Sequence, residues 1–348
     1  MNMSAPAYAD AMDLPISADD HRIIYSPSFD MRNPKAPLCH GSACFLRVRF
    51  KGTHLGVLIK EAHGATGDKD TNWWQAVIDG QISQTFAAQR GAHVYILASK
   101  LPPGEHEVEL IRRTEGFLGP SQILGLSLSA DAELLPARPR VRQIAVIGDS
   151  ISCGYGNEAS SAQMPFRPET ENANMTFGAI AARALDADYV VTCWTGMRAY
   201  QDPGVERLFP PLAVEGASAP KPDAVVIALG TNDFRAGVPD EKAWSAAYID
   251  LIKRIRSHYP DAMIYLAGSP MLSDEWPEGQ KHHTALNSYL IRMIQSLQQT
   301  GDKKIGFLNF NTQNPADGIG ADWHPNVKTH QRMAETLEEK LRHDLGWR

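Results

Sequence analysis

The chain has 348 residues, 43% of them hydrophobic and 21% charged, with a formal net charge of -6. This is the make-up of a globular protein with apolar material for two cores, so two domains are the natural expectation. The small acidic balance leaves no basic footprint for a nucleic-acid partner, and no apolar run approaches the length of a membrane span.

Residues 1–20 are polar and Ala-rich and read as a loose lead-in. Met1 to Pro15 shows no basic stretch followed by an apolar core. As written, the chain therefore points to the cytoplasm, and to a secreted or periplasmic protein only if a leader was trimmed. Residues 21–136 carry short β-type runs: Ala43 to Phe50, His54 to Ile59, Trp73 to Ile78, His93 to Leu97, Glu105 to Ile111 and Ile123 to Leu128. Asp79-Gly80 is a strong hairpin signal, and with Pro102-Pro103-Gly104 it separates these runs as in a β-sandwich or jelly roll. Of the adjacent Trp73 and Trp74, one at least is expected in the core, because strand neighbours face opposite ways. Pro136-Ala-Arg-Pro139 is a short, stiff linker.

From residue 140 to 348 strands alternate with helices. Strands are expected at 144–147, 189–193, 224–229, 263–267 and 305–310, and helices at 175–185, 240–258, 283–299 and 327–343. This rhythm predicts an α/β domain, a parallel sheet with helices on both faces. Cys39, Cys44, Cys153 and Cys193 read as four small apolar thiols, with Cys39 and Cys44 able to pair locally in an oxidising compartment. His282-His283 is no metal motif, since neighbours on a helix do not share a face. No metal or organic cofactor is expected.

The run Ile144 to Ile147 breaks at Gly148, and Asp149-Ser150 follows at the carboxyl end of the strand, where open α/β sheets bind ligands. Alone, Ser150 would be a helix N-cap. Three further stretches flank strand ends on the same edge: Trp194-Thr-Gly-Met197, Gly230-Thr-Asn-Asp233 and Asp322-Trp-His-Pro-Asn326. Acyl transfer needs a nucleophile, a base and oxyanion donors. Ser150 supplies the first, His324 the second, and the N–H groups of Ser150 and Gly196 with the Asn232 amide the third. An ordinary imidazole base would set an acid limb at about pH 6 to 7.

These four blocks resemble the SGNH (GDSL-type) hydrolases, whose Ser, Gly, Asn and His match Ser150, Gly196, Asn232 and His324 in order. The wording Gly148-Asp-Ser-Ile-Ser-Cys-Gly-Tyr-Gly-Asn-Glu158, Asn172 to Gly178 and Leu229 to Phe234, with a β-domain in front, resembles carbohydrate esterase family 2 more narrowly. The resemblance implies a flavodoxin-like three-layer α/β/α domain behind a jelly roll. It also implies removal of acetyl groups from acetylated xylan, glucomannan or smaller sugars, with an acetylated oligo- or polysaccharide as partner. The SGNH pattern places an Asp three residues before the His; here that position is Ala321, and Asp322 is a displaced orienter at best. Similar enzymes of family 2 work with a Ser–His dyad whose imidazole is held by a backbone carbonyl.

Among the neighbours, Asp149 reads as scaffold, Asp233 as a cap or turn former, and Cys153 as packing. Trp323 and Trp194 are candidate sugar-stacking residues, with a buried packing role for Trp323 equally open. A lipase, thioesterase or peptidoglycan O-acetylesterase would use the same catalytic set. A non-catalytic glycan-binding protein would keep the fold without turnover.

Overall fold

The computed structural model describes residues 14–62, 64, 69–202 and 221–348. The chain forms two compact units and passes from one to the other between Pro139 and Arg140. In the first unit the strands are β1 (Leu14–Ser17), β2 (Ile24–Tyr25), β3 (Phe29–Asp30), β4 (Leu38–Cys39), β5 (Phe45–Lys51), β6 (Leu55–Glu61), β7 (Trp73–Ile78), β8 (Gln81–Ala87), β9 (Gly91–Ala98), β10 (Glu105–Arg112), β11 (Ser121–Leu128) and β12 (Glu133–Leu135). They build two sheets, ordered β3-β4-β11-β6-β9 with β1 beside β11, and β12-β5-β10-β7-β8 with β2 beside β5. The named strand pairings are antiparallel.

Leu46, Val48 and Phe50 of β5 point into the core between the sheets, as do Val57 and Ile59 of β6 and Val108 and Leu110 of β10. Trp74 is fully buried and Trp73 only partly. On the other face of β5, Arg47 bonds Glu109 Oε1 at 2.8 Å from the directly opposite position on β10, so a buried charge meets its partner. Two differences from the sequence reading stand out. Leu14–Ser17, within the supposed lead-in, pairs with Gly125 to Leu128 as a strand. The polar run Gln81–Ala87, which lies outside the expected strand ranges, is also a strand, and the Asp79-Gly80 hairpin signal is borne out as the turn that folds it back onto β7.

The second unit contains β13 (Arg142–Gly148), α1 (Ser150–Cys153), α2 (Phe177–Ala184), β14 (Ala187–Cys193), β15 (Ala224–Ala228), α3 (Thr231–Phe234), α4 (Glu241–His258), β16 (Met263–Ala267), α5 (His282–Gln299), β17 (Ile305–Leu308) and α6 (Val327–Leu345). The sheet is parallel, ordered β14-β13-β15-β16-β17. In chain order that is 2-1-3-4-5, the flavodoxin-like winding, whose switch point lies between β13 and β15. Ile147, Val225, Ile227, Ile264 and Leu266 pack under Trp244, Tyr248 and Leu251 of α4 and Leu286 and Leu290 of α5. On the opposite face Gly178 of α2 sits so close to Val146 and Tyr189 that a Cβ would collide with both. Asp240 caps α4 through Ala243 N–H, and Asn326 caps α6 through Thr329 N–H. The helix expected from Met175 begins at Phe177, because Ala173–Met175 forms a separate tight turn capped by Asn172.

Candidate active site

β13 ends at Gly148, and Asp149 caps the short helix α1 by accepting from Ile151 N–H at 3.0 Å. Ser150 thus opens α1, with its N–H among the donors that a helix start leaves without an intrahelical partner. Its Oγ lies 2.8 Å from His324 Nε2, across 174 residues of chain. Nδ1 of the same ring lies 3.0 Å from Ala321 O. Donation from Nδ1–H to that carbonyl leaves the Nε2 lone pair facing the serine. The imidazole is half-buried, and burial pushes its pKa down to about 4 against smaller opposing contributions from Ala321 and Asp322. The ring is therefore a neutral acceptor at neutral pH, and the acid limb expected at about pH 6 to 7 moves lower.

The displaced-orienter role for Asp322 is corrected by these contacts. Its Oδ2 accepts from Tyr155 O–H at 2.8 Å and Phe166 N–H at 3.1 Å instead of from the imidazole. Asp322 and Trp323 are both left-handed, with φ of 48° and 65°. Such backbone costs roughly 1–3 kcal/mol per residue and persists only where neighbours enforce it. Besides the two Asp322 side-chain bonds, Asp322 N–H donates to Met164 O and Gln313 Nε2 to Trp323 O. Ala321 N–H donates to Gly156 O, and a Cβ on Gly156 would come within 2.4 Å of the Ala321 Cβ. The Gly-Tyr-Gly run after Ser150 is thus the seat on which the histidine loop rests.

The oxyanion candidates come from the two strands beside β13. After β14, Trp194 N–H donates to Gly148 O and Met197 N–H closes a turn on Trp194 O. Gly196 sits in that turn at φ 82°, where a side chain would be strained. After β15, Asn232 lies on α3; its Nδ2 donates to Met197 O at 3.0 Å and, more weakly, to Asp149 Oδ2 at 3.3 Å. Asp149 therefore touches both the Ser150 turn and Asn232, and burial raises its pKa to about 7. Asp233 caps no helix: its carboxylate accepts from Ala199 N–H and Tyr200 N–H, tying the Gly196 loop to α3. Trp194 and Trp323 are 40% and 59% exposed, so Trp323 is not a packing residue.

Cys153 and Cys193 form a disulfide between α1 and the end of β14, while Cys39 and Cys44 are free and buried. The reading of four thiols is overturned, and the local Cys39–Cys44 pairing that an oxidising compartment would allow is not formed. Parallel pairing of β13 and β14 brings two residues 40 apart in sequence to a Cα separation of 5.6 Å. Tyr155 and Phe166 also escaped the sequence reading. Tyr155 packs against His324 with ring centroids 4.2 Å apart and the planes tilted by 32°, and Phe166 packs against Tyr155 at 4.5 Å. His282 and His283 bond Gln280 Oε1 and Phe310 O separately. Among the described residues no group of three His, Cys, Asp or Glu side chains is placed to hold a metal ion.

The GDSL-like lipase/acylhydrolase family model matches residues 146–332, and the carbohydrate esterase 2 N-terminal model matches residues 28–137. The chain is 35% identical over 340 residues to the cellulase/esterase CelE of Acetivibrio thermocellus, covering 94% of this chain but only 40% of that protein. It is 26% identical to an acetylxylan esterase/glucomannan deacetylase of Cellvibrio japonicus, over 99% of this chain and 96% of that one. A family two carbohydrate esterase from Clostridium thermocellum, solved in complex with cellohexaose, superimposes with a TM-score of 0.84 at 35% identity, over 94% of this chain and all of the other. With both family models matched in the order of its two units, the chain belongs to the GDSL-like lipase/acylhydrolases and, within them, to carbohydrate esterase family 2, a family of carboxylic ester hydrolases.

Proposed function

We propose that this chain is a serine esterase that removes O-acetyl groups from acetylated oligo- or polysaccharides. The observation that carries the reading is the 2.8 Å approach of His324 Nε2 to Ser150 Oγ. Ser150 Oγ attacks the acetyl carbonyl while its proton passes to Nε2. The oxyanion is received by the N–H groups of Ser150 and Gly196 and by the Asn232 amide proton that otherwise spans the long contact to Asp149. Collapse expels the sugar oxygen, which takes the proton from His324, and leaves acetyl-Ser150. His324 then deprotonates water, acetate departs and Ser150 is restored. These steps balance without a metal or organic cofactor.

The names of the Cellvibrio relatives support acetylated xylan or glucomannan as the substrate class. The exposed indoles of Trp194 and Trp323 suit stacking on sugar rings. The Cys153–Cys193 disulfide supports a secreted or periplasmic setting over the cytoplasm. The test is acetate release from acetylated xylan, acetylated glucomannan and small acetylated sugars by wild type and Ser150→Ala. The variant should lose roughly 10³- to 10⁶-fold in kcat; near-normal turnover by it rejects the mechanism. Longer acyl esters, thioesters and O-acetylated peptidoglycan in the same panel test the other esterase readings. Binding of glycan by the wild type without any turnover would favour a non-catalytic binding protein.

A further inference from the structure

We infer that Tyr155 is a positioning residue for the base, carrying the charge of Asp322 to the face of the His324 imidazole in place of a carboxylate at its edge. This rests on the reading of Ser150 and His324 as nucleophile and base. The ring of Tyr155 lies 4.2 Å from that of His324, with 32° between the planes. Its hydroxyl donates to Asp322 Oδ2 at 2.8 Å, and its backbone N–H donates to Ser150 O at 3.1 Å. One residue thus touches the nucleophile's main chain, the base's ring and the nearby carboxylate. Phe166 backs the phenol ring at 4.5 Å and gives its N–H to the same carboxylate oxygen.

The need follows from the dyad. When Ser150 gives up its proton, His324 becomes an imidazolium in a half-buried place, and the carbonyl of Ala321 offers a dipole where a triad offers a full charge. An aromatic face within about 6 Å attracts a cation. A phenol that donates to a carboxylate is richer in electrons than a free one, so the attraction grows with the Tyr155–Asp322 bond intact. The same ring contact limits the ring's tilt and keeps Nε2 aimed at the serine. Arg235 opposes protonation of the imidazole, as does burial itself, and His330 of α6 also interacts with His324 electrostatically.

The test uses Tyr155→Leu, Tyr155→Phe, Asp322→Asn and the Phe/Asn double variant, with an aryl acetate and an acetylated sugar as substrates. Each protein is first checked for wild-type circular dichroism and melting temperature. Tyr155→Leu should lower kcat roughly 5- to 30-fold with KM within about twofold, the range of a partly desolvated cation–π contact. Tyr155→Phe should recover part of that loss, because the ring stays. Asp322→Asn, whose amide oxygen can still accept from Phe166 N–H, should cost less in the Phe background than in the wild type, because the part of its effect carried by the hydroxyl is already gone. The acid limb of kcat/KM should move to lower pH in Tyr155→Leu, a change that loosened packing alone would not produce. Wild-type kcat in Tyr155→Leu, or additive losses in the double variant, overturns the inference. Ser150→Ala is assayed alongside: its collapse beside an unaffected Tyr155→Leu rejects only this inference, whereas an active Ser150→Ala rejects the mechanism beneath it.

Discussion

The carbonyl oxygen of Ala321 stands 3.0 Å from His324 Nδ1, and Ala321 is the residue at which the SGNH pattern would place an aspartate. The main chain does there what a side chain does in a triad: it fixes the tautomer and the ring direction. Asp322→Ala should therefore cost about tenfold in kcat, through Tyr155 and the backbone it helps to hold. His324→Ala should cost roughly 10³-fold or more. Steady-state kinetics on an aryl acetate compare the two directly, and equal losses would make Asp322 a full catalytic partner.

Burial holds the His324 pKa down to about 4, so the base form persists well into acid. The sign is simple: the neutral ring is the active one, and activity falls as pH drops through its pKa. The acid limb of kcat/KM should lie near pH 4 to 5, below the roughly 6.5 of a free imidazole. A profile of kcat/KM between pH 3.5 and 8, with melting temperature followed in parallel, measures it; a midpoint near 6.5 would contradict this environment.

Asn232 holds Met197 O at 3.0 Å and Asp149 at 3.3 Å, so its amide locks the Gly196 loop and, in the proposed mechanism, turns its weaker-held proton to the oxyanion. Asn232→Ala should reduce kcat by about 10²- to 10³-fold with a much smaller change in KM. Loss confined to KM would place Asn232 in substrate binding and not in the oxyanion hole.

The disulfide closes a loop between Cys153 and Cys193, 40 residues apart, and joins the helix that Ser150 opens to the strand that precedes Gly196. Loop-closure entropy for that length gives about 4 kcal/mol of stabilisation in the chain-entropy model. Cys153→Ser with Cys193→Ser should lower the melting temperature by several degrees. Thiol titration of the unfolded wild type should show two free cysteines before reduction and four after.

That the four blocks of this site meet at one edge was legible in the primary structure, because three of them follow strands and parallel strands deliver their ends to one side. Which residue of each block to name, Ser150, Gly196 or Asn232, came from the chemistry of acyl transfer and the resemblance to the SGNH pattern. The role of Asp322 was not legible: a one-residue offset from the pattern says nothing about a left-handed backbone that turns the carboxylate toward Tyr155. Cys153 and Cys193 were missed for a similar reason, since pairing over 40 residues depends on β13 and β14 lying side by side. In the first unit, Gln81–Ala87 lacks an apolar stripe and owes its extended form to the Asp79-Gly80 turn and to β7 beside it.

The segment at Asp322 and Trp323 is held in a shape it would not choose alone, clamped by Met164, Phe166, Tyr155 and Gln313. A clamp of a few hydrogen bonds at an exposed corner melts before a buried sheet does. Once it lets go, those two residues relax toward extended chain and carry the imidazole away from the serine. Heat inactivation should then begin several degrees below the collapse of the parallel sheet, and reverse on cooling as long as the sheet survives.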